Sequence, residues 1–267
     1  MSSRSRPMQP WLPRVAFLYA ALLILLPLAA LAYGVAEHLG GTWRALTSGP
    51  ALDALSRTIT LATIALAVHL VLGVMTAWVV VRDDFFGKRA LVWLADVPLA
   101  MSPITIGLAF FVVFGREGWL YPLFTQLDLK VVFAFPGLVL VTLFVTLPFM
   151  IREVVLLLED LGTSEEEAAA TMGASPWQVF VHITLPNILP ALTSASALVV
   201  ARALGEFGAV LVIGGAISGE TDTATTFVFH AIEERQLPAA YGMSMVLVAL
   251  SVAAFATFSA LRRKVRS

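Results

Sequence analysis

Apolar residues run along this chain in six long blocks that polar segments separate. Stretches without Asp, Glu, Lys or Arg cover residues 15–34, 58–81, 97–115, 131–151, 182–201 and 237–261. A helix that crosses the hydrocarbon core of a bilayer needs about 20 consecutive apolar residues. The pattern predicts an all-α membrane protein with six spans, at about 15–35, 57–81, 91–114, 131–156, 187–213 and 238–261.

Composition agrees with this membrane prediction and excludes several classes of site. The chain is 59% hydrophobic and 13% charged, whereas soluble domains carry about 25% charged residues. There is no cysteine, which excludes disulfides and thiolate metal sites, and the four histidines are scattered rather than placed at metal-ligand spacing. No nucleotide-binding loop, catalytic triad or carboxylate pair is present, so we expect no enzyme activity from the chain by itself. Its net charge of −1 gives no indication of a nucleic-acid partner.

Lysine and arginine in the short loops predict the orientation of the spans. With the N-terminus inside, eleven of them lie on the cytoplasmic side and five outside. We therefore predict a multi-pass protein of the cell membrane with a cytoplasmic segment 1–14, one transmembrane domain over 15–261 and a cytoplasmic tail 262–267. A cleaved signal peptide is the alternative for the first span, although its apolar core is longer than such signals usually have.

The segment 163–186, between spans four and five, has strong local signals for two short helices. Ser164 and Glu167 fit a capping box, and Gly173 permits the left-handed residue that ends a helix. Ser175 and Gln178 fit a second box with proline at the first helical position. We predict a helix, a turn and a second helix that Pro186 closes.

Small and apolar residues on the first of these helices indicate a protein contact. Ala168, Ala169 and Met172 allow a close and adaptable approach of another surface. An amphipathic helix on the bilayer is the alternative, but this segment has no lysine or arginine between residues 159 and 190. An acidic segment matches the anionic cytoplasmic leaflet poorly, so docking of a soluble cytoplasmic protein is favoured.

Charges and prolines inside the spans suggest a translocation path. Arg202 and Glu206 are four residues apart and are predicted to pair on one helical face. The pair either fixes helix packing, or it places Arg202 along a path for anions; both interpretations stay open. Pro98 and Pro103 predict a kinked or interrupted third span, where Ser102 and Thr105 line a path or serve packing alone.

His69 and the external segment 213–227 can each be interpreted as structural or as functional. His69, in the second span, is expected to be an interior histidine with a hydrogen-bond partner, without a proton-relay role. The external segment 213–227 is rich in glycine, serine and threonine. Its amides could hold an oxyanion, although an ordinary solvated loop is the commoner case.

The segment 163–186 resembles the EAA signature of ABC-importer permeases. Glu167, Ala168, Ala169 and Gly173 match it, and after nine residues so do Ile183, Leu185 and Pro186. The resemblance implies a type I ABC importer permease fold, in which this segment is the cytoplasmic coupling helix that seats in a partner ATPase. It implies that Glu167, Ala168, Ala169, Met172 and Gly173 form the ATPase contact.

Longer stretches are similar to the CysW-type permeases of sulfate/thiosulfate importers. They cover residues 96–107, "FPGLVLVTLFVTLPFMIREVV" at 135–155 and "ARALGEFGAVLVIGGAISGET" at 201–221. The "LGEFGA" run also occurs in molybdate permeases and alone indicates only the oxyanion group. This resemblance implies a heterodimer with a second, CysT-type permease, two copies of a cytoplasmic ATPase that hydrolyses ATP with Mg²⁺, and a periplasmic or lipid-anchored sulfate-binding protein. The chain itself would bind no cofactor.

Several alternatives stay open on the sequence. Molybdate or tungstate could be the substrate, and the choice between sulfate and thiosulfate is not fixed. A non-transporting membrane scaffold and a proton-coupled carrier that works alone are the candidates from other classes. Val181 and His182 stand where relatives often carry basic residues, and residues 222–238 are less family-like. The chain stops shortly after span six, so we expect it to lack the C-terminal regulatory domain of some relatives.

Overall fold

The computed structural model describes residues 11–266, with side chains described for 11–263. Every regular element in this range is helical. The α-helices are α1 (Trp11–Glu37), α2 (Leu39–Leu46), α3 (Gly49–Val68), α4 (Val74–Arg82), α5 (Lys88–Ala100), α6 (Pro103–Phe114), α7 (Tyr121–Gln126), α8 (Phe135–Leu161), α9 (Ser164–Thr171), α10 (Pro176–Val179), α11 (Leu185–Leu204), α12 (Gly208–Gly214), α13 (Ala224–Glu233) and α14 (Leu237–Arg266). Two π-helical turns, His69–Gly73 and Phe180–Thr184, join α3 to α4 and α10 to α11.

The predicted all-α membrane fold is confirmed. Within the described residues, five continuous helical runs are long and apolar enough to cross a bilayer: Trp11–Glu37, Gly49–Arg82, Phe135–Leu161, Pro176–Leu204 and Leu237–Arg263. The pair α5 and α6 makes a sixth crossing if it counts as one span, but it is bent by 116°. Most of the predicted cytoplasmic segment 1–14 lies outside the described residues.

Spans three and five are both interrupted. The interruption of span three was predicted, whereas the prediction of a continuous span five over residues 187–213 is wrong. Met101 and Ser102 are extended between α5 and α6. For Ser102 the reason is Pro103, because a proline disfavours helical backbone in the residue before it. The fifth span does not continue through Glu206 to Ile213. Helix α11 ends at Leu204, and α12 starts anew at Gly208.

Helix α8 is the centre of the bundle. One apolar cluster joins it to α4 and α11 through Met150, Val154 and Ile188, all fully buried. A second cluster, nearer the start of α8, joins it to α6 and α12 through Leu138, Ile106 and Ile213. By contrast, α1 buries only Gly34 against the rest of the chain, which is typical of a helix that faces lipid.

The two broken spans meet at close range. A Cβ on Gly107 of α6 would lie 2.8 Å from the carbonyl oxygen of Ala209, and one on Gly208 of α12 would lie 3.1 Å from the Cβ of Pro103. Small residues permit such close approach of membrane helices. The breaks at residues 101–102 and 205–207 therefore lie side by side inside the bundle.

Candidate functional site

The segment 163–186 forms the predicted pair of short helices, with two corrections. Gly173 adopts φ +93° and ends the turn after α9, and Ser175 and Gln178 form the predicted capping box. The box at Ser164 is wrong: Thr163 is the N-cap, and its hydroxyl donates to Glu167 Oε1 at 2.6 Å. Glu167 thus pairs with a side chain four residues back rather than with the amide of Ser164.

Pro186 does not close the segment. Helix α10 passes through the π-helical turn Phe180–Thr184 into α11, so the second short helix is the cytoplasmic start of span five. Pro186 lies in the first turn of α11, where its missing N–H costs little. The segment is therefore continuous with span five at one end, while Gly162 (φ +66°) separates it from α8 at the other.

Four of the five residues predicted to contact an ATPase are exposed. Glu167, Ala168 and Gly173 are exposed, and Met172 is 83% exposed. Ala169 is only 5% exposed, so it packs against its own chain. An open cleft of about 400 Å³ lies beside Met172, between α9 and α10. Trp177, on α10, is 72% exposed. His182 lines the same cleft.

A set of polar contacts holds α9 to the membrane helices, and the sequence analysis did not predict them. Arg82, at the end of α4, lies 2.7 Å from Glu166 in a largely buried ion pair. Thr184 donates to the same carboxylate, and Asn187 donates to Glu165. Arg82 is one of the eleven cytoplasmic lysines and arginines that predict the orientation, and no local pattern in the sequence points to its pairing with Glu166.

The predicted pair in span five forms, but it also shapes a helix end. Arg202 Nη2 lies 2.6 Å from Glu206 Oε2, with side-chain exposures of 28% and 2%. Glu206 Oε1 accepts the amide of Ala209 at 2.9 Å and so caps α12. The carboxylate of Glu206 thus binds both the guanidinium of Arg202 and the first turn of α12, which favours the packing interpretation for Glu206. Arg202 itself stays partly exposed.

Ser102 and Thr105 are exposed on the bent span. Ser102 is the N-cap of α6 without a side-chain cap, and within the described residues neither hydroxyl makes a hydrogen bond with the Arg202–Glu206 pair. The two regions adjoin through backbone packing of Gly208 on Pro103 and Ile104. The structure thus brings the two breaks together without joining their polar side chains.

The external segment 213–227 is only partly solvated: residues 217–220 are exposed, whereas the residues that follow them are packed. Thr221, Asp222 and Thr223 are buried, and Arg57 of α3 donates to the carbonyl oxygens of Gly219 and of Asp222. Burial raises the pKa of the Asp222 carboxyl, and the hydroxyl that Thr226 donates to it acts in the opposite direction. These contacts fix the loop against span two.

His69 is an interior histidine, as expected. Its ring is 2% exposed and Nε2 lies 2.9 Å from the hydroxyl of Thr146 on α8. No group of three or more His, Cys, Asp or Glu that could hold a metal ion occurs in the part of the chain that the structure describes.

Comparison with known proteins agrees with this architecture. The family described as "Binding-protein-dependent transport system inner membrane component" matches residues 69–267. The sulfate transport system permease protein CysW of Synechocystis sp. is 40% identical over 89% of this chain and 87% of its own length. The sulfate transport system permease protein CysT of Escherichia coli is 34% identical over 89% and 86%.

A solved structure shows the same fold at low sequence identity. A chain of a bacterial ABC transporter involved in the import of the acidic polysaccharide alginate aligns with a TM-score of 0.78, covering 96% of this chain and 94% of its own, at 14% identity. The helical arrangement is therefore the type I ABC importer permease fold. By sequence and fold, this chain belongs to the binding-protein-dependent transport-system inner membrane components, and within them to the CysW-type sulfate permease family.

Proposed function

We propose that this chain is the membrane permease subunit of an ATP-driven importer for sulfate or thiosulfate. It has no catalytic role of its own, binds no cofactor and forms the translocation path with a second, CysT-type permease. Two copies of a cytoplasmic ATPase hydrolyse ATP with Mg²⁺, and an extracytoplasmic binding protein, soluble or lipid-anchored, delivers the anion. The chain lies in the cell inner membrane as one domain over 15–261, with both termini in the cytoplasm.

The observation that carries the proposal is the exposed face of α9. Met172 and Ala168 point away from the chain, on a short helix that side-chain contacts hold to the ends of spans two and five. An exposed apolar patch of this kind, rimmed by glutamates, marks a protein contact. A membrane scaffold would need the exposed face of α9 to bind its partner, but it would not need side-chain contacts that hold α9 to the membrane spans.

The path is proposed to pass the two adjoining breaks. Arg202 offers a partly exposed positive charge there, and Ser102 and Thr105 offer exposed hydroxyls on the neighbouring span. Discontinuous membrane helices are where transporters place substrate sites. Because Glu206 neutralises Arg202, attraction to a passing anion would be weak enough for release.

Sulfate uptake in cells that lack this chain tests the proposal. Wild-type chain, expressed with its partners, should restore uptake of radiolabelled sulfate, and excess molybdate should not compete. Competition by molybdate would favour the molybdate or tungstate importer and call for direct molybdate uptake. Absence of uptake, with the chain present in the membrane beside its partners, would contradict the transport proposal.

A charge reversal on α9 tests the docking surface. Glu167→Lys removes the bond from Thr163 and places a positive charge in the first turn, where the helix dipole disfavours it. We expect the ATPase to be lost when the variant complex is purified and sulfate uptake to fail with it. Normal recovery of the ATPase would contradict the assignment of this face.

A further inference from the structure

The second half of α4 carries two side chains that reach the coupling segment. Trp78 and Arg82 are four residues apart, so they project from the same side of the helix. Arg82 is directed towards α9 and Trp78 towards the π-helical turn after α10. Span two is neither the span before the segment nor the span after it, so these contacts connect parts that the chain does not join directly.

Arg82 holds α9 and the end of α8 at the same time. Its Nε and Nη2 donate to the two carboxylate oxygens of Glu166 at 2.7 and 3.2 Å. Its Nη1 donates to the carbonyl oxygen of Leu158, and its Nη2 to that of Gly162 at 2.7 Å. Gly162 lies between α8 and α9 with a positive φ of +66°, so the guanidinium bridges the short link that precedes the segment.

Glu166 extends the same connection to span five. The hydroxyl of Thr184, which is buried, donates to its Oε1 at 2.7 Å. Asn187 of α11 donates to the neighbouring Glu165, also at 2.7 Å. The side chains of Arg82 and Glu166 are only 11% and 16% exposed, so the pair is shielded from water and from screening by salt.

An aromatic series forms the second connection. The ring of Trp78 meets Phe180 edge to face at 5.6 Å between centroids, and Phe180 stacks on Trp177 at 5.8 Å. Trp177 is 72% exposed on the docking side. Packed aromatic rings resist relative displacement because each gains energy only in a few geometries. A push on Trp177 would therefore be passed to α4.

We propose that Arg82 and Glu166, with the Trp78–Phe180 contact as support, form a transmission joint that moves span two with the coupling segment. The inference rests on the proposed function, because it assumes that a partner ATPase moves α9. Without Arg82, α9 could swing about Gly162 while α4 stayed in place. ATPase closure would then no longer open the path, although the docking surface itself would be intact. Arg82 and Glu166 are positioning residues, distinct from the exposed contact residues Glu167 and Met172.

The test compares Arg82→Ala, Glu166→Ala and their double variant in the assembled complex. We expect all three to keep the ATPase on purification and to hydrolyse ATP within about twofold of wild type, while sulfate uptake falls about tenfold or more. The double variant should lose much less than the product of the two single losses, because the two side chains share one contact. Uptake near the wild-type rate, or loss of the ATPase from the variants, would overturn the proposal.

Two controls separate this joint from a general effect of charge removal or misfolding. Lys88→Ala removes a nearby ion pair, in which Lys88 lies 3.0 Å from the fully exposed carboxylate of Asp84. This variant should leave sulfate uptake unchanged. If Arg82→Ala does not accumulate in the membrane, Arg82→Lys is tested in its place. Lysine keeps the positive charge but cannot donate two hydrogen bonds in parallel to the Glu166 carboxylate. We expect Arg82→Lys to assemble with uptake reduced about threefold or more, and wild-type uptake would overturn the proposal.

A readout that needs no transport distinguishes failure of the joint from failure of the proposed function. In the purified complex, Arg82→Ala should speed hydrogen exchange of the α9 amides at least about tenfold, because local opening becomes easier. Lys88→Ala should not. If wild type moves no sulfate but this difference appears, the proposed function fails, whereas the connection that Arg82 makes between α4 and α9 stands. If exchange in α9 is unchanged, the joint itself is refuted.

Discussion

Two arginine–glutamate pairs lie in the part of the chain that the structure describes, and their roles differ. Arg82 and Glu166 are 84 residues apart and join α4 to α9. Arg202 and Glu206 are four residues apart and lie at the end of a single helix. Both pairs have N–O distances near 2.7 Å, at 2.7 and 2.6 Å.

The difference lies in what else each glutamate binds. Glu166 accepts a hydroxyl from the start of span five, so its pair ties elements together. Glu206 accepts the amide of Ala209, so its pair ends one helix and begins the next. A long-range pair can pass movement between helices, whereas a local pair fixes the shape of the break beside it. An arginine–glutamate ion pair thus connects separate helices at one site and fixes the shape of a helix break at the other.

The largest effect is expected from Glu206→Ala. It would leave the guanidinium of Arg202 without its partner and α12 without its cap, and breaking a buried pair costs about 3–5 kcal/mol. We expect little assembled complex and a lower midpoint of thermal unfolding. Glu206→Gln, which keeps an acceptor for Ala209, should lose less. Equal stability of the alanine variant and wild type would show that the pair does not hold the break.

Gly107→Ala should disturb the crossing of the two broken spans. The new Cβ would lie 2.8 Å from both the Ala209 carbonyl oxygen and the Cβ of Val212, and backbone cannot yield as a side chain can. Overpacking of this kind costs about 1–3 kcal/mol, measurable in thermal unfolding of the complex. Gly49→Ala is the matched control, since nothing lies within 4 Å of its Cβ position. Equal losses in both would contradict a tight crossing.

Arg202→Ala separates the path interpretation from the packing interpretation. Glu206 would keep its bond to the Ala209 amide but lose its partner charge, so we expect less assembled complex than in wild type. Sulfate uptake per assembled complex should fall about tenfold, which is about 1.4 kcal/mol in rate. Uptake should be measured beside the amount of assembled complex. Failure of assembly would show that the pair serves packing alone.

The smallest effect is expected from Ser175→Ala. It removes the hydroxyl that caps α10, and loss of such a cap costs about 1 kcal/mol. Faster hydrogen exchange of the α10 amides, with sulfate uptake close to wild type, is the expected result. Uptake as low as that of Arg82→Ala would mean that order within α10, rather than the joint at α4, limits transmission.

Local chemistry made much of this architecture predictable from the sequence. The apolar blocks predicted the membrane spans. Gly173 and the Ser175 capping box predicted the turn of the coupling segment. The four-residue spacing predicted the ion pair of Arg202 and Glu206. Each of these depends on residues close in sequence, or on hydropathy alone, so no tertiary contact was needed.

What the sequence did not give depends on distant partners. The bond of Glu166 to Arg82 requires α4 and α9 to meet, and nothing in the local pattern of either helix indicates that. The end of α11 at Leu204 was missed because hydropathy continues through the break, while Gly205 and the cap from Glu206 interrupt the helix. The polar residues of segment 213–227 do not indicate that Thr221, Asp222 and Thr223 are buried, because that packing depends on contacts from Arg57 and Thr58 of α3.

Transport by the purified complex in sealed vesicles tests the central claim most directly. This chain, its permease partner, the ATPase and the binding protein would be reconstituted, with the binding protein supplied on the outer face and ATP on the ATPase side. The account predicts that radiolabelled sulfate accumulates only with ATP, and that a protonophore has no effect. Sulfate entry at the same rate without ATP, abolished by the protonophore, would contradict it and identify a proton-coupled carrier.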